Sequence, residues 1–349
     1  MSEPEILFEK RGRIGLITLN RPKALNALTL DMVDLMHPQL KQWASDPAVS
    51  AVVVTGTGDR GFCAGGDIRA LYESGKAGTP YVFDFYAHEY RLNAYIKHYP
   101  KPYIALLNGI TMGGGVGVSV HGSQRVACEN TVFAMPETGI GLFPDVGGTY
   151  FLPRLPGEVG MFLALTGTRL KAADMLHCGI AQSYVPFERF PKLIAALTES
   201  DAAPEKTIAR FEEKAGTASL ATWQKVIDRC FSKASVEEIL NSLSFEGEGA
   251  WGEEIAKTML LKSPISSKVA YRQIREGKTL NFDDCMRLEY RLTCRFMVGH
   301  DFYEGVRATI IDKDQKPRWA PPSLVQVTAS DVAAYFASLG TRELDLTAT

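Results

Sequence analysis

The sequence predicts an α/β fold with crossover connections. Three observations carry that reading: short β-branched runs recur, helical stretches separate them, and glycine-rich turns follow the strands. Ile14 to Leu19 and Ala51 to Thr55 are apolar and β-rich, bounded by Asn20-Arg21-Pro22 and by Gly56-Thr57-Gly58, and read as two buried strands. The helix between them starts at Thr29, gathers Leu30, Met32, Val33, Leu35 and Met36, and stops at Asp46-Pro47. Tyr103 to Leu107 is a third strand; it leads into Gly113, Gly114 and Gly115, after which Val116 to His121 suits a helix. Arg125 to Cys128 and Thr131 to Ala134 read as further short strands. Past residue 200 the pattern turns helical: Ser263-Pro264 opens a helix that stops at Gly277, and Asp283 opens another with Met286, Tyr290, Thr293 and Met297 at helical spacing. The expected organisation is therefore a core over residues 1–200 and a helical region over residues 201–349. The boundary is placed at Glu199 to Pro204, and a short tail follows Ala320-Pro321-Pro322.

Charge and cysteine usage narrow the function classes. The 349 residues carry 38 Lys plus Arg against 40 Asp plus Glu, a net charge of −2, which argues against nucleic acid or a polybasic membrane anchor as partner. The stretch from Tyr103 to Val120 is weakly polar but is broken by Asn108, Thr111 and the glycine triplet, so no membrane span is expected. The six cysteines show no CxxC, and the first twenty residues show neither a secretory apolar core nor an Arg-rich transit character. Reduced thiols and a cytoplasmic location are the expectation.

Several motif matches fail on their context. Gly56-Thr-Gly58-Asp-Arg-Gly61 follows a strand as a dinucleotide fingerprint does, but Phe62-Cys-Ala-Gly65-Gly66 continues as a loop where a helix should open. Gly117-Val-Ser119-Val-His121 puts a histidine where a nucleophile elbow needs a small residue. His37, His88, His98, His177 and His300 share no metal-ligand spacing.

Two glycine loops and one acidic segment carry more. Phe62 to Ile68 and Gly109 to Val116 both follow strands, and main-chain amides at such turns can receive developing negative charge on an oxygen. Glycine lets a carbonyl approach where a Cβ would block it. Met135 to Gly148 holds Glu137 and Asp145 eight residues apart in a stretch otherwise apolar or glycine, surroundings that raise a carboxyl group's pKa toward acid–base work. Tyr86, His88, Glu89 and Arg91, taken by composition alone, read as a solvated helix face.

Asn20-Arg21-Pro22 with Ala24 to Leu28, Phe62 to Asp67, the glycine triplet, and Pro136-Glu137 with Pro144 and Gly147-Gly148 together resemble the crotonase superfamily from residue 13 to about 185. Gly109 to Gly122, Met135 to Gly148, and His300 to Ala308 with Ile311 to Asp314 resemble its 3-hydroxyacyl-CoA hydrolase branch, so the likeness covers nearly the whole chain. The resemblance implies a crotonase-like ββα superhelix core that binds acyl-CoA, with the Gly66 and Gly114 amides as the oxyanion hole. It further implies Glu137 and Asp145 as the catalytic acids and Glu89 at the substrate. The CoA moiety would lie along Lys23, Ala24, Leu25, Gly65, Gly66, Asp67 and Ile68.

In the hydratases a catalytic glutamate stands three residues after the central glycine of the triplet; here that position is Gly117. With that glutamate absent, what the resemblance implies is hydrolysis of a 3-hydroxyacyl-CoA, foremost 3-hydroxyisobutyryl-CoA in valine breakdown. Enoyl-CoA hydration or isomerisation and a non-catalytic acyl-CoA-binding protein are the alternatives. CoA enters as part of the substrate, so no metal or organic cofactor is expected. The sequence leaves open whether copies assemble into a homo-oligomer, as the trimeric crotonases do.

Overall fold

The structure, a computed structural model, describes residues 3–245 and 249–347. The chain forms two compact units of interleaved segments: residues 1–67, 91–134 and 169–221 in the first, and residues 68–90, 135–168 and 222–349 in the second. Along the chain, the segments of the two units alternate.

The first unit holds both sheets. β1 (Ile6–Arg11), β2 (Ile14–Leu19), β3 (Ala51–Gly56), β4 (Gly61–Cys63), β5 (Tyr103–Leu107), β6 (Ile110–Met112), β7 (Gln124–Ala127), β8 (Val132–Ala134) and β9 (Ser183–Tyr184) divide between a six-stranded sheet, β1-β2-β3-β5-β7-β9, and a three-stranded sheet, β4-β6-β8. Of the strand pairs among the described residues, only β1–β2 is antiparallel. Parallel strands covered on both faces read as continuous apolar runs, which is why β2, β3 and β5 are legible in the sequence. On one face Ile14, Leu16, Val53, Ile104, Leu106 and Val126 pack against Phe190, Leu193 and Leu197 of the Phe190–Glu199 helix. Each such side chain contributes on the order of 1.5–3 kcal/mol by leaving water.

The Leu30–Ser45 helix is capped as its sequence indicates, the Thr29 hydroxyl accepting the Met32 amide at 3.3 Å. The second unit is helical. Ser263 caps Pro264–Gly277 by accepting the Ser266 amide at 3.1 Å. The next helix spans Phe282–Phe296, starting one residue before Asp283; the Asn281 side chain caps it by accepting the Asp284 amide at 2.9 Å. Both glycine loops also differ from expectation: Phe62 and Cys63 belong to β4, and Ile110 to Met112 form β6, so each loop is a three-residue strand followed by a turn. Three residues are too few to display a period of two.

Candidate active site

In the first unit the Asn20 to Leu28 motif folds around one buried amide. Asn26 donates to the Thr57 and Gly61 carbonyls at 3.0 and 2.8 Å and accepts the Arg21 amide at 2.9 Å, while Leu25 and Asn26 both take left-handed backbone angles. This turn meets the first glycine loop edge-on: Ala64 donates to the Leu25 carbonyl, Leu28 to Gly65, and Asp67 back to Leu28, at 2.8 to 3.0 Å. The structure thus brings Lys23, Ala24 and Leu25 together with Gly65, Gly66 and Asp67 as one ribbon. Lys23 and Ala24 are exposed, and the Asp67 carboxylate is already paired with Arg21 at 2.9 Å. Ile68 opens the Ile68–Ala77 helix.

The two glycine turns approach each other. Leu28 bridges Gly66 through the bonds at Gly65 and Asp67, so alternation along this extended segment turns the Gly66 amide to the opposite side. Gly114 is the first residue of the Gly114–Val120 helix, and its amide has no acceptor within that helix. A Cβ on Gly65, whose φ of +116° is open to glycine alone, would lie 3.5 Å from the Met112 carbonyl oxygen and 3.7 Å from the Gly114 nitrogen. A Cβ on Gly115 would overlap the Cys63 carbonyl oxygen. Ser119, in the failed elbow motif, is buried and donates its hydroxyl to the Gly115 carbonyl at 2.7 Å.

The second unit assembles four acids. Glu89, Glu137, Asp145 and Glu289 are 2, 5, 4 and 0 % exposed. The solvated-face reading of the Tyr86 to Arg91 run is corrected here: Tyr86, Glu89 and Tyr90 are all buried, since residues three and four apart share the inward face of the helix Tyr81–Lys97. Glu137 opens a 3₁₀ turn that ends at Gly141, and Asp145 precedes Val146 and Gly147, two successive left-handed residues. The Tyr90 hydroxyl donates to Asp145 Oδ2 at 2.8 Å and lies 2.7 Å from Thr293 Oγ1. With its own proton on Asp145, Tyr90 accepts the Thr293 hydrogen, which gives the chain Thr293 to Tyr90 to Asp145 a single direction. Among the described residues Glu89 Oε1 and Glu137 Oε2 are buried without a hydrogen-bond partner. Unpaired buried carboxyl oxygens are costly, and they stand where a ligand or water can meet them.

Burial, then the charge on Asp145, pushes Glu89 and Glu137 well above the usual carboxylate range, with Glu289 adding to both and Lys262 opposing the rise at Glu137. Burial carries Asp145 up to about 7 against the Tyr90 hydrogen bond. It carries Glu289 up to about 8 against its amide donors. With Asp145 and Glu289 each repelling both Glu89 and Glu137, the four acids cannot all ionise, so the cluster keeps protons near neutral pH. Tyr90→Phe removes a hydrogen bond that favours the Asp145 anion. The apparent midpoint followed by the Asp145 carboxyl carbon in NMR is expected to rise above its wild-type value; an unchanged or lower midpoint would contradict the assignment.

Sequence reasoning gave no functional role to Tyr90, Thr293, Glu289 or Lys262. For Glu289 a signal existed: it is an acid on the buried stripe Cys285, Met286, Leu288, Leu292 and Phe296. Among the described residues no group of three or more His, Cys, Asp or Glu side chains is arranged to hold a metal ion, and no helix is long and apolar enough to cross a membrane.

The family model described as enoyl-CoA hydratase/isomerase matches residues 14–336. A zebrafish (Danio rerio) protein named "3-hydroxyisobutyryl-CoA hydrolase, mitochondrial" is 50% identical over 98% of this chain and 92% of its own length. The human protein of that name is 47% identical over 97% of this chain and 90% of its own length. Among solved structures, a carnitinyl-CoA dehydratase from Mycobacterium thermoresistibile is 40% identical, with a TM-score of 0.94 over 99% of this chain and all of that one. An enoyl-CoA hydratase from Rhodobacter sphaeroides is also 40% identical, with a TM-score of 0.91 over 98% of this chain and all of that one. The mitochondrial names of the hydrolase relatives overturn the expected cytoplasmic location. That expectation rested on reduced thiols, which do not separate one reducing compartment from another, and on the lack of Arg-rich transit character in the first twenty residues.

Proposed function

Since the chain belongs to the enoyl-CoA hydratase/isomerase family, we propose that it hydrolyses a 3-hydroxyacyl-CoA thioester, 3-hydroxyisobutyryl-CoA foremost, to the hydroxy acid and free CoA. The observation that carries the proposal is the pair Glu137 and Asp145, both buried and both held toward the protonated form, in a chain with glycine at position 117. Relatives named as hydrolases share 47–50% of their residues with it, against 40% for the structures titled as a hydratase and a dehydratase. A binding module has no need of unpartnered carboxyl oxygens on buried acids, which argues against a non-catalytic role.

The thioester oxygen accepts from the Gly66 and Gly114 amides, which hold it more strongly as it becomes an oxyanion; one such donor is worth roughly 3–4 kcal/mol. Glu137 takes a proton from the attacking water, or attacks the carbonyl carbon itself to give an anhydride that water then opens. In either route the carbon–sulfur bond breaks as the oxyanion collapses, and the leaving thiolate recovers a proton held among the acids. Asp145, fixed by Tyr90, orients water and relays that proton. Glu89 accepts from the substrate hydroxyl. CoA follows the ribbon of Lys23, Ala24, Leu25, Gly65, Asp67 and Ile68; the Asp67 carboxylate is engaged by Arg21, so its contribution is main-chain.

Thiol release and loss of the enoyl double bond, followed together on 3-hydroxyisobutyryl-CoA, isobutyryl-CoA and crotonyl-CoA, test the reading. Thiol is expected from the first at least about a hundredfold faster than from the second, because a site built for a hydroxyl rejects the analogue lacking it. Glu89→Leu is expected to shrink that ratio. Addition of water to crotonyl-CoA without thiol release from the hydroxy substrate would show the hydratase reading to be right instead.

A further inference from the structure

Asp145 sits on a turn that should not hold its shape unaided. Val146, a β-branched residue, has φ +49°, and Gly147 follows at +89°. Left-handed backbone is unfavourable for a β-branched residue and persists only where the surroundings over-determine it. The surroundings come from two helices. Glu289 of Phe282–Phe296 accepts the Gly147 amide on Oε2 at 2.7 Å and the Thr149 amide on Oε1 at 2.9 Å. Gln273 of Pro264–Gly277 donates to the Pro144 carbonyl at 2.6 Å and to the Thr149 hydroxyl at 2.7 Å. The turn is thereby held from both sides of Asp145. Thr293 stands one helical turn beyond Glu289 and reaches the Asp145 carboxylate through Tyr90.

We infer that Glu289 is a positioning residue for Asp145: its two carboxylate oxygens clamp the Gly147 and Thr149 amides and so fix the turn that aims the Asp145 side chain. The inference rests on the thioesterase reading for its kinetic consequences and on hydrogen bonds alone for its structural ones. The same helix sets both the main chain after Asp145, through Glu289, and the Asp145 carboxylate, through Thr293 and Tyr90. A one-turn rotation error in either contact would move the acid away from its direction. An amide at position 289 keeps the volume but offers one acceptor oxygen, and its NH₂ meets a second N–H donor head-on.

The test is Glu289→Gln in the full-length protein, read in two ways. Thiol release should show kcat lower by about a hundredfold with KM changed less than threefold, the signature of misplacement without lost binding. Amide hydrogen exchange at Gly147 and Thr149 should accelerate while Leu106 and Val126 in the first unit's sheet keep their protection. Unchanged kcat and unchanged exchange would overturn the inference. Should the variant fail to fold, exchange in the wild-type protein decides: both amides must be protected, and exchange at unstructured-peptide rates would refute the clamp. If the wild-type protein released no thiol from any acyl-CoA, the thioesterase reading would fall, and the exchange measurement would still judge the clamp by itself.

Discussion

Glu137→Gln is expected to lower kcat for thiol release by about a thousandfold or more while leaving KM within about threefold. The change keeps shape and burial but removes the only group on its turn that can take a proton from water. Glu137 is poised for that work by its surroundings: burial and the Asp145 charge raise its affinity for a proton, and one of its oxygens has no partner among the described residues. Its ionised form is therefore a stronger base than a carboxylate in water. A base with a raised pKa also ties activity to pH. Rates should climb as pH rises through the titration of the acid cluster and then level off, and the variant should lose that climb together with its rate. Full activity in a normally folded Glu137→Gln protein would remove the residue from the reaction.

The second large effect concerns stability. Gly141→Ala is expected to cost about 3 kcal/mol or more, seen as a lower urea midpoint at unchanged slope. Gly141 closes the Glu137 turn with φ +74°, a conformation that strains any Cβ. An added methyl would also overlap the Asp301 carbonyl oxygen, which is main chain and cannot swing aside. Asp301 itself is fixed, its carboxylate accepting from Ser263 at 2.6 Å and from the Ala320 amide at 2.8 Å. Strain at Gly141 therefore has few routes of relief, and it would push back on the turn that carries Glu137.

These two positions mark what the sequence discloses and what it does not. Glu137 and Asp145 are legible because acids are rare in apolar, glycine-rich stretches, and the helix starts at Thr29 and Ser263-Pro264 are legible because capping is local. β1 escapes notice because it is an edge strand with exposed Glu9, Lys10 and Arg11, and β4 and β6 because each is three residues long and runs straight into a glycine-rich turn. The contacts that shape the acid cluster are long-range. Tyr90 reaches Asp145 across 55 residues, and Glu289 reaches Gly147 across 142. No periodicity within a window of twenty residues encodes such pairs. The polar run around Glu89 misleads for a related reason: whether a helix face is solvated is decided by what packs on it, and that lies elsewhere in the chain.

The central claim is that main-chain amides polarise a thioester carbonyl ahead of attack. A slow Glu137→Gln variant, loaded with 3-hydroxyisobutyryl-CoA labelled with carbon-13 at the carbonyl, allows that bond to be watched by infrared difference spectroscopy. The labelled carbonyl band is predicted to fall to lower frequency than the same thioester shows in water; a band that stays at its solution position in the bound complex would contradict the account.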